Sequence, residues 1–257
     1  MSMFFMACGA KAAAKKPEPF LLTVAATAGN LQYGVTPYWN SGGGCVIEWG
    51  DGQSTTAATS GTTINHTYAA AGSYTVRVSG DMYRFRASAT NPGAVTFCNG
   101  NWSALGSITD GSSMFYNCAN MDILVDRLPS GLTSGQSMFN GCKAATLPLA
   151  SLPDGLTNGA NMFQDCNASL MSIPRLPSGL TGAGYMFYRC WKMTADLDAW
   201  AANNPGGWRS LTNCNYMLYG AGSDNSPGAV TGNRSAFQAL CPNATFTAAF
   251  NNTNTTA

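Results

Sequence analysis

The chain contains one pattern of 24 residues that is written three times without a gap, from Met114 to Tyr185. Each copy begins with Met-Phe and carries a cysteine four residues after the methionine, and both features return at Met186 and Cys190. A unit of this length cannot bury its apolar face alone, whereas stacked units bury a continuous core. The repeat therefore predicts a solenoid, in which each unit packs against the units before and after it.

The spacing of residues within a unit predicts its local structure. A methionine and a cysteine four positions apart share one face of a helical turn, so we expect a short helical turn at the start of each unit. Apolar residues five and seven positions after the cysteine share one face of a very short strand. These pairs are Ile123 and Val125, Leu147 and Leu149, and Met171 and Ile173. A proline and a glycine then predict a corner.

The cysteines of the repeat are predicted to form a buried ladder of thiols. Equivalent residues of neighbouring strands lie about 4.8 Å apart, but their side chains point the same way and could not be bridged without distortion. These residues are Cys118, Cys142, Cys166 and Cys190. Cys214 follows Cys190 at the same interval, but without a Met-Phe pair, so we interpret that spacing as a coincidence.

Composition narrows the classes of function. Only 10% of the residues are charged and the formal net charge is +1, so binding to nucleic acid or to an anionic membrane is not indicated. The sequence has one histidine and no Cys-x-x-Cys, phosphate-binding loop or nucleophile elbow. We therefore predict no catalytic residue, no metal site and no cofactor. No stretch approaches the ~18 apolar residues of a transmembrane helix.

Residues 1–19 are predicted to be an N-terminal arm or anchor. Cys8 follows an apolar stretch, as the acylated cysteine of a lipoprotein does, but that stretch runs only from Met3 to Ala7 and no basic segment precedes it. A signal peptide has about 7–15 apolar residues after positive charge. We expect an arm that attaches the protein to a partner, with acylation of Cys8 as the alternative.

Residues 20–88 are predicted to form short strands. The clearest strands are Phe20–Val24, Cys45–Trp49 and Tyr74–Val78, and a glycine-rich turn follows the second. The motifs Trp49-Gly50-Asp51-Gly52, His66-Thr67-Tyr68 and Gly72-Ser73-Tyr74-Thr75-Val76 occur in this order. This segment resembles the PKD-type β-sandwich. The resemblance implies an immunoglobulin-like module that spaces or docks other domains, without catalysis. We interpret His66 as structural, bonded to nearby backbone or to Asp51.

The repeat itself, Met-Phe-x-x-Cys followed by leucines and a Leu-Pro-x-Gly-Leu-Thr corner, resembles the BspA-like leucine-rich repeat of bacterial surface proteins. The predicted fold is thus mainly β, with a PKD-like sandwich and a short leucine-rich-repeat-type solenoid of about five turns. Residues 89–113 are predicted to be a connector and N-terminal cap, with Val95–Cys98 as a strand. Residues 114–221 form the solenoid, and residues 222–257 form a C-terminal cap and polar tail.

Candidate partner-binding residues lie at outward positions and where the period fails. Arg127 and Arg175 are outward positions of the repeat, and the irregular fourth unit adds Tyr188, Trp191 and Trp208. Aromatic residues and arginine are the usual anchors of interfaces. Trp200 falls in the leucine ladder, and we assign it to the core.

The sequence favours a non-enzymatic structural and interaction protein. One setting is the surface of a bacteriophage virion, as a head-decoration or fibre protein with virion subunits as partners. It is favoured by the expected absence of a signal peptide and by a surface of Gly, Ala, Ser, Thr and Asn. The alternative is a bacterial cell-surface adhesin or lipoprotein that binds host or matrix ligands, with a cell-surface receptor or glycans as partners. A homo-oligomer is expected, because virion parts work in symmetric assemblies.

Overall fold

A computed structural model describes residues 18–123, 127–143, 151–166, 171–223, 230–251 and 253. Its strands are β1 (Phe20–Ala26), β2 (Gln32–Tyr38), β3 (Gly44–Glu48), β4 (Ser54–Thr56), β5 (Ile64–Thr67), β6 (Gly72–Asp81), β7 (Arg84–Thr90), β8 (Val95–Cys98), β9 (Asp122–Ile123), β10 (Met171–Ser172), β11 (Met193–Asp196) and β12 (Val230–Thr231). Its α-helices are α1 (Leu197–Asn203) and α2 (Arg234–Ala239), and its 3-10 helices are Pro92–Ala94 and Trp102–Leu105. The described part of the chain is mainly β, as expected, and holds no helix capable of crossing a membrane.

Strands β1 to β8 form a sandwich of two sheets. One sheet has the order β4-β3-β6-β1-β8-β9 and the other has the order β5-β2-β7. In β1, Phe20, Leu22 and Val24 are buried and alternate with half-exposed residues, as expected for a strand with one face on a core. Phe85 of the second sheet contacts Phe20, with ring centroids 5.9 Å apart. The strands predicted at Phe20–Val24, Cys45–Trp49, Tyr74–Val78 and Val95–Cys98 are confirmed as β1, β3, β6 and β8.

The turn between β3 and β4 explains the glycine-rich motif. Gly50 has a φ of 87°, and a Cβ atom there would lie 2.7 Å from the carbonyl oxygen of Thr75, so a side chain would collide with β6. Asp51, at the tip, accepts a hydrogen bond from the backbone N–H of Gln53 at 3.0 Å. Its Oδ2 also lies 2.7 Å from Nε2 of His66, which confirms the structural interpretation of that histidine.

The described residues between 108 and 251 form a second region, which we call the repeat stack. Six residues in consecutive units, each joined to the next by a parallel β-bridge, define units one to six. They are Asp110, Ser134, Asn158, Gly182, Asn213 and Thr245. The first four lie 24 residues apart, and the last two intervals are 31 and 32 residues. The repeat pattern begins before Met114, because the N–H of Gly111 donates to the carbonyl of Ser134 at 2.8 Å.

The segment from methionine to cysteine is not the helical turn that the spacing predicted. It consists of consecutive turns closed by bonds between residues three apart, such as Met114 N–H to Gly111 O at 3.0 Å and Cys118 N–H to Phe115 O at 3.0 Å. Ser113 and Asn117 have left-handed φ values of 55° and 58°, which no α-helix of L-residues sustains. Alternate N–H groups therefore point along the stack and bond the next unit instead of residue i−4.

Side-chain ladders fill the interior of the stack. The rings of Phe115, Phe139, Phe163 and Phe187 stack at centroid distances of 5.6, 5.7 and 5.6 Å. The thiols of Cys142, Cys166 and Cys190 donate to phenylalanine carbonyls in the preceding unit at 3.1, 3.0 and 2.9 Å. All eight described cysteines are buried and unbridged, so the predicted thiol ladder is confirmed.

The short strands of the repeat are present where they are described. Asp122–Ile123 is β9 and Met171–Ser172 is β10, each two residues long. Val125, Leu147 and Leu149 lie outside the described residues. The expected corner is a turn in which the N–H of Leu132 donates to the carbonyl of Pro129 at 3.0 Å, and it recurs at Leu156 and Leu180.

The sandwich and the repeat stack share their sheets and their core. Strand β9 of the stack pairs in parallel with β8, and Asp110 forms a parallel bridge with Arg84 of β7. The segment 89–113, predicted to be a connector and cap, therefore contributes β8 to the sandwich. One continuous cluster of buried apolar residues extends from Phe20 to Phe250. The sandwich thus covers the first end of the stack.

Units four to six keep the backbone pattern but have longer connections. Helices α1 and α2 lie in these connections. Cys214 directly follows the bridge residue Asn213 of unit five and does not continue the cysteine ladder, so its interval from Cys190 is a coincidence, as interpreted. A sixth unit follows, and the N–H of Leu218 in unit five donates to the carbonyl of Ala249 in unit six at 2.9 Å.

Candidate functional site

The five predicted partner-binding residues lie in three different places. Tyr188 and Trp191 belong to an exposed aromatic cluster on units four and five. Arg127 and Arg175 line one groove. Trp208 has 0% exposure, so the prediction that it binds a partner is wrong.

We call Tyr185, Tyr188, Arg189, Trp191, Tyr216 and Tyr219 the tyrosine patch. Its tyrosines occupy equivalent positions in units four and five, on the two sides of the Met-Phe or Met-Leu pair: Tyr185 matches Tyr216, and Tyr188 matches Tyr219. The rings of the first pair stack at 4.8 Å and those of the second at 5.2 Å. Tyr185 and Tyr188 also contact each other, at 5.4 Å. The four rings therefore form one connected cluster.

Arg189 and Trp191 extend this cluster. The guanidinium carbon of Arg189 lies 4.9 Å from the centroid of the Tyr188 ring, within the range of a cation–π contact, and its Nη1 lies 3.9 Å from Asp165. The indole of Trp191 lies over Gly220 of unit five, where an added Cβ would be 3.6 Å from Nε1. Glycine suits this position because the φ of Gly220 is 68°, in the left-handed region.

The tyrosine patch offers aromatic edges and hydroxyl groups to a partner. Tyr185 is 38% exposed and Trp191 is 42% exposed, whereas Tyr188, Tyr216 and Tyr219 are half-buried. None of the four tyrosine hydroxyls hydrogen-bonds to a described residue. Much of the surface of the ring faces is used in stacking within the patch. Stacking also fixes the rings before a partner arrives, so little side-chain entropy remains to be lost on binding.

The second location is a shallow groove of about 260 Å³ that includes both predicted arginines. Arg175 pairs with Asp154 at its rim, and Leu128, Leu152 and Pro153 contribute apolar surface. The two arginines come from different repeats at equivalent edges of the corner, which is why the sequence placed both outward. An internal carboxylate already partners Arg175, so the groove has less unused binding capacity than the tyrosine patch.

Trp208 belongs to the core of unit four's long connection. Its indole Nε1–H donates to the carbonyl of Pro177 at 3.0 Å, and its ring contacts Phe237 of α2 at 5.3 Å. Trp200 is likewise buried and donates to the carbonyl of Ile173 at 2.7 Å, which confirms its assignment to the core. Both tryptophans fix the inserted helices onto the stack, and neither presents surface to a partner.

The described residues lack a metal-binding cluster and an activated cysteine thiol. No group of three or more His, Cys, Asp or Glu side chains suited to a metal ion occurs among them. Desolvation by burial raises the pKa of the Cys98 and Cys166 thiols to about 12, which suppresses the thiolate that a nucleophile requires. Asp51 is engaged by His66 and by the backbone of Gln53, and serves the turn.

Tyr185 and Tyr216 are the members of the patch that sequence reasoning missed. They stand immediately before the methionines of units four and five, where units one to three have Ser113, Ser137 and Asn161. All five have φ values between 53° and 57°. An alignment of the repeat units with one another, extended to this outward position, would have shown tyrosine at it in two adjacent units.

Comparison with known families supports the first part of the sequence interpretation. Residues 8–90 match the model of the PKD domain, so the PKD-type, immunoglobulin-like assignment of the sandwich is confirmed. PKD domains are non-catalytic modules that mediate interactions. Neither curated proteins nor solved structures give a match to the chain.

Proposed function

We propose that this protein is a non-enzymatic structural and interaction protein whose tyrosine patch contacts a protein partner. The observation that carries the proposal is the patch itself: four tyrosines held against one another, with unused hydroxyls, beside an exposed tryptophan. Tyrosine and tryptophan give large, rigid contact areas at low entropic cost, and they dominate binding energy in many interfaces. A glycan partner is disfavoured, because the ring faces on which a sugar would stack are turned toward neighbouring rings.

The architecture proposed for the repeat stack is a short solenoid of the BspA-like leucine-rich type. Support comes from the 24-residue interval between bridged residues and from the internal phenylalanine and thiol ladders. Such a stack is a rigid support, because each unit bonds to its neighbours by both backbone and side chains.

The setting we propose is the surface of a bacteriophage virion, as a head-decoration or fibre protein anchored through residues 1–19. Support comes from the low charge, the net charge of +1, and a sandwich fused rigidly to the stack, which suits a fixed spacer between particle and partner. Assembly as a homo-oligomer belongs to this proposal. The second candidate is a bacterial cell-surface adhesin or lipoprotein, favoured by Cys8 after its apolar stretch.

Intact-mass measurement separates the two settings. The virion proposal predicts the unacylated chain in purified particles, in a fixed ratio to the major capsid protein. A diacylglycerol on Cys8, with the preceding residues removed, in a cell-envelope fraction would instead establish the lipoprotein. Mass photometry of the purified chain tests the oligomer directly.

Binding to particles that lack the protein tests the role of the patch. The double substitution Tyr188→Ala with Trp191→Ala should reduce binding at least tenfold if these residues anchor the contact. Tyr116→Ala is the matched control: Tyr116 is 38% exposed and has the same position in unit one as Tyr188 has in unit four. Equal effects of the two changes, or no effect of the double substitution, would contradict the assignment.

A further inference from the structure

Arg86 occupies an unusual position on the outer face of the three-stranded sheet of the sandwich. Its neighbours along β7, Phe85 and Ala87, point into the core with 0% exposure, so Arg86 points to the opposite side. In the register of β2 and β7 it pairs with Thr36, and the next outward pair joins Tyr38 to Arg84. Thr36 is only 3% exposed although it lies on this outer face.

The guanidinium of Arg86 has no acceptor among the described residues. Its Nε is buried and makes no hydrogen bond, and the side chain has no ion pair or ring contact. Buried polar groups almost always have partners, and arginine is seldom buried unless it is paired. Arg84 shows the contrast on the same face. Although its Nε is also unbonded, its Nη2 donates to the carbonyl of Ser112 at 3.2 Å and its Nη1 lies 3.6 Å from Asp110.

The polar groups around Arg86 leave donors unused and acceptors occupied. The hydroxyls of Thr36 and Thr63 lie 2.8 Å apart, and since only one can donate in that bond, the other keeps a hydrogen to offer. Two acceptors bonded to other residues of β7 each take a hydrogen bond and make none with Arg86: Asn65 Oδ1 accepts from Thr90 at 2.6 Å, and the carbonyl of Ser113 accepts from Ser88 at 2.8 Å. Arg84 and Arg86 together outnumber the single carboxylate of Asp110. This face therefore has an excess of donors and of positive charge.

We propose that this face of the sandwich is a binding site for a carboxylate, with Arg86 as its central ligand. Because Nε is buried while the side chain as a whole is only half-buried, an outside carboxylate would bind Nη1 and Nη2. These two nitrogens match a carboxylate in a two-point hydrogen bond, and the spare threonine hydroxyl adds a third donor. An acidic side chain of a protein partner and a small free carboxylate share this chemistry. The site lies on the sandwich and does not depend on the tyrosine patch.

The buried Nε–H of Arg86 provides a direct readout of occupancy. In ¹H–¹⁵N spectra, its signal is identified by its loss in Arg86→Lys. Sodium acetate should shift this signal along a saturating curve, with sodium chloride of equal ionic strength as the reference. The signal of Arg77, whose guanidinium pairs with Glu48 across an exposed part of the other sheet at 3.8 Å, should follow chloride and acetate equally.

Two capped tripeptides, Gly-Glu-Gly and Gly-Gln-Gly, distinguish the source of the carboxylate. A tenfold or greater preference for the glutamate peptide over acetate indicates a protein partner, and equal affinities indicate a free anion; both results support the site. Acetate should also raise the Tm of the wild type and of Arg77→Gln, but not that of Arg86→Gln. Non-saturating shifts that match chloride, or an unchanged Tm response in Arg86→Gln, would overturn the proposal and leave water as the partner of the terminal guanidinium nitrogens.

Discussion

Units one to three and units four to six of the repeat stack use the same backbone but different surfaces. The N–H of Phe163 donates to the carbonyl of Met186 at 2.9 Å between units three and four, and the N–H of Phe187 donates to Met217 at 2.8 Å between units four and five. The outward residue before each repeat methionine nevertheless changes from Ser113, Ser137 and Asn161 to Tyr185 and Tyr216. Regular backbone bonding thus places no demand on the outward side chains.

The connections between units are also regular in the first part of the stack and irregular in the second. The interval between bridged residues grows from 24 to 31 and 32, and the added chain contains α1 and α2. Lengthening a surface loop costs little, since each doubling of its length adds only about 0.6 kcal/mol of closure entropy. The regular units therefore supply a stack of uniform spacing, and the irregular units add side chains and helices to it without altering its bonds.

The largest expected effect comes from breaking the ladder of the regular units. Phe139 lies between two stacked rings and has 0% exposure, so Phe139→Ala should lower the free energy of unfolding by about 3–5 kcal/mol through lost burial and cavity formation. Urea denaturation measures this. Trp191→Ala, in the irregular part, should change it by less than about 0.5 kcal/mol. A similar loss in both variants would mean that Trp191 is also a packing residue.

The reactivity of cysteine thiols tests whether the regular and the irregular units of the stack are equally rigid. Desolvation by burial raises the pKa of Cys166, in the ladder, to about 12 from an ordinary 9.0, and burial also raises the pKa of Cys214 in unit five. At pH 8 the thiolate of Cys166 should be about a thousandfold scarcer than that of an exposed cysteine. Alkylation followed by peptide mass analysis should leave both residues unmodified without denaturant. Faster labelling of Cys214 than of Cys166 would show that the irregular units open first.

Trp208 tests how firmly the inserted helices are held. Trp208→Phe keeps an aromatic ring but removes the indole donor that lies 3.0 Å from the carbonyl of Pro177. That carbonyl keeps only its longer bond from the N–H of Leu180, at 3.3 Å, and the loss of one hydrogen bond costs about 0.5–1.5 kcal/mol. We expect a loss of that size in urea denaturation. Trp191→Phe, at an exposed position, is the control and should be neutral. A neutral result for Trp208→Phe would indicate that water replaces the indole at Pro177.

Much of the stack could be predicted from its period, because identical residues at identical intervals define ladders without further information. Phe139 and Cys166 follow from the 24-residue repeat alone. The conformation of the segment from Met114 to Cys118 did not follow, because a spacing of four fits both a helical turn and two successive β-turns. Only the left-handed φ of Ser113 and Asn117 distinguishes them, and apolar spacing contains no information about handedness.

Whether a candidate site residue could be predicted also depended on what the repeat pattern reveals. Tyr188 and Trp191 were predicted because they lie in the irregular fourth unit and have no role in the ladders. Trp208 was predicted to bind a partner because burial inside an irregular connection leaves no periodic trace. The fusion of sandwich and stack was also not predictable, since the bridge from Arg84 to Asp110 joins two different sequence patterns. Arg86 was not singled out, because only the three-dimensional structure shows that its guanidinium has no acceptor among the described residues.

The smallest expected effect is on the stability of the sandwich at low pH, to which Asp51 contributes. Desolvation would raise the pKa of Asp51, but hydrogen bonds from the Gln53 N–H and from His66 outweigh it and leave this pKa below its ordinary value of 3.8. The unfolded chain then binds the proton more readily than the folded one, so this carboxylate contributes stability above about pH 4 that is lost as the pH falls through the folded-state pKa. Asp51→Asn should remove that part of the pH dependence, measured as the difference in urea midpoint between pH 6 and pH 3. Glu48→Gln, at a carboxylate 58% exposed on the same sandwich, is the control and should keep the wild-type pH dependence. If Asp51→Asn has the wild-type pH dependence as well, acid destabilises another part of the protein first, in the stack or at its junction with the sandwich.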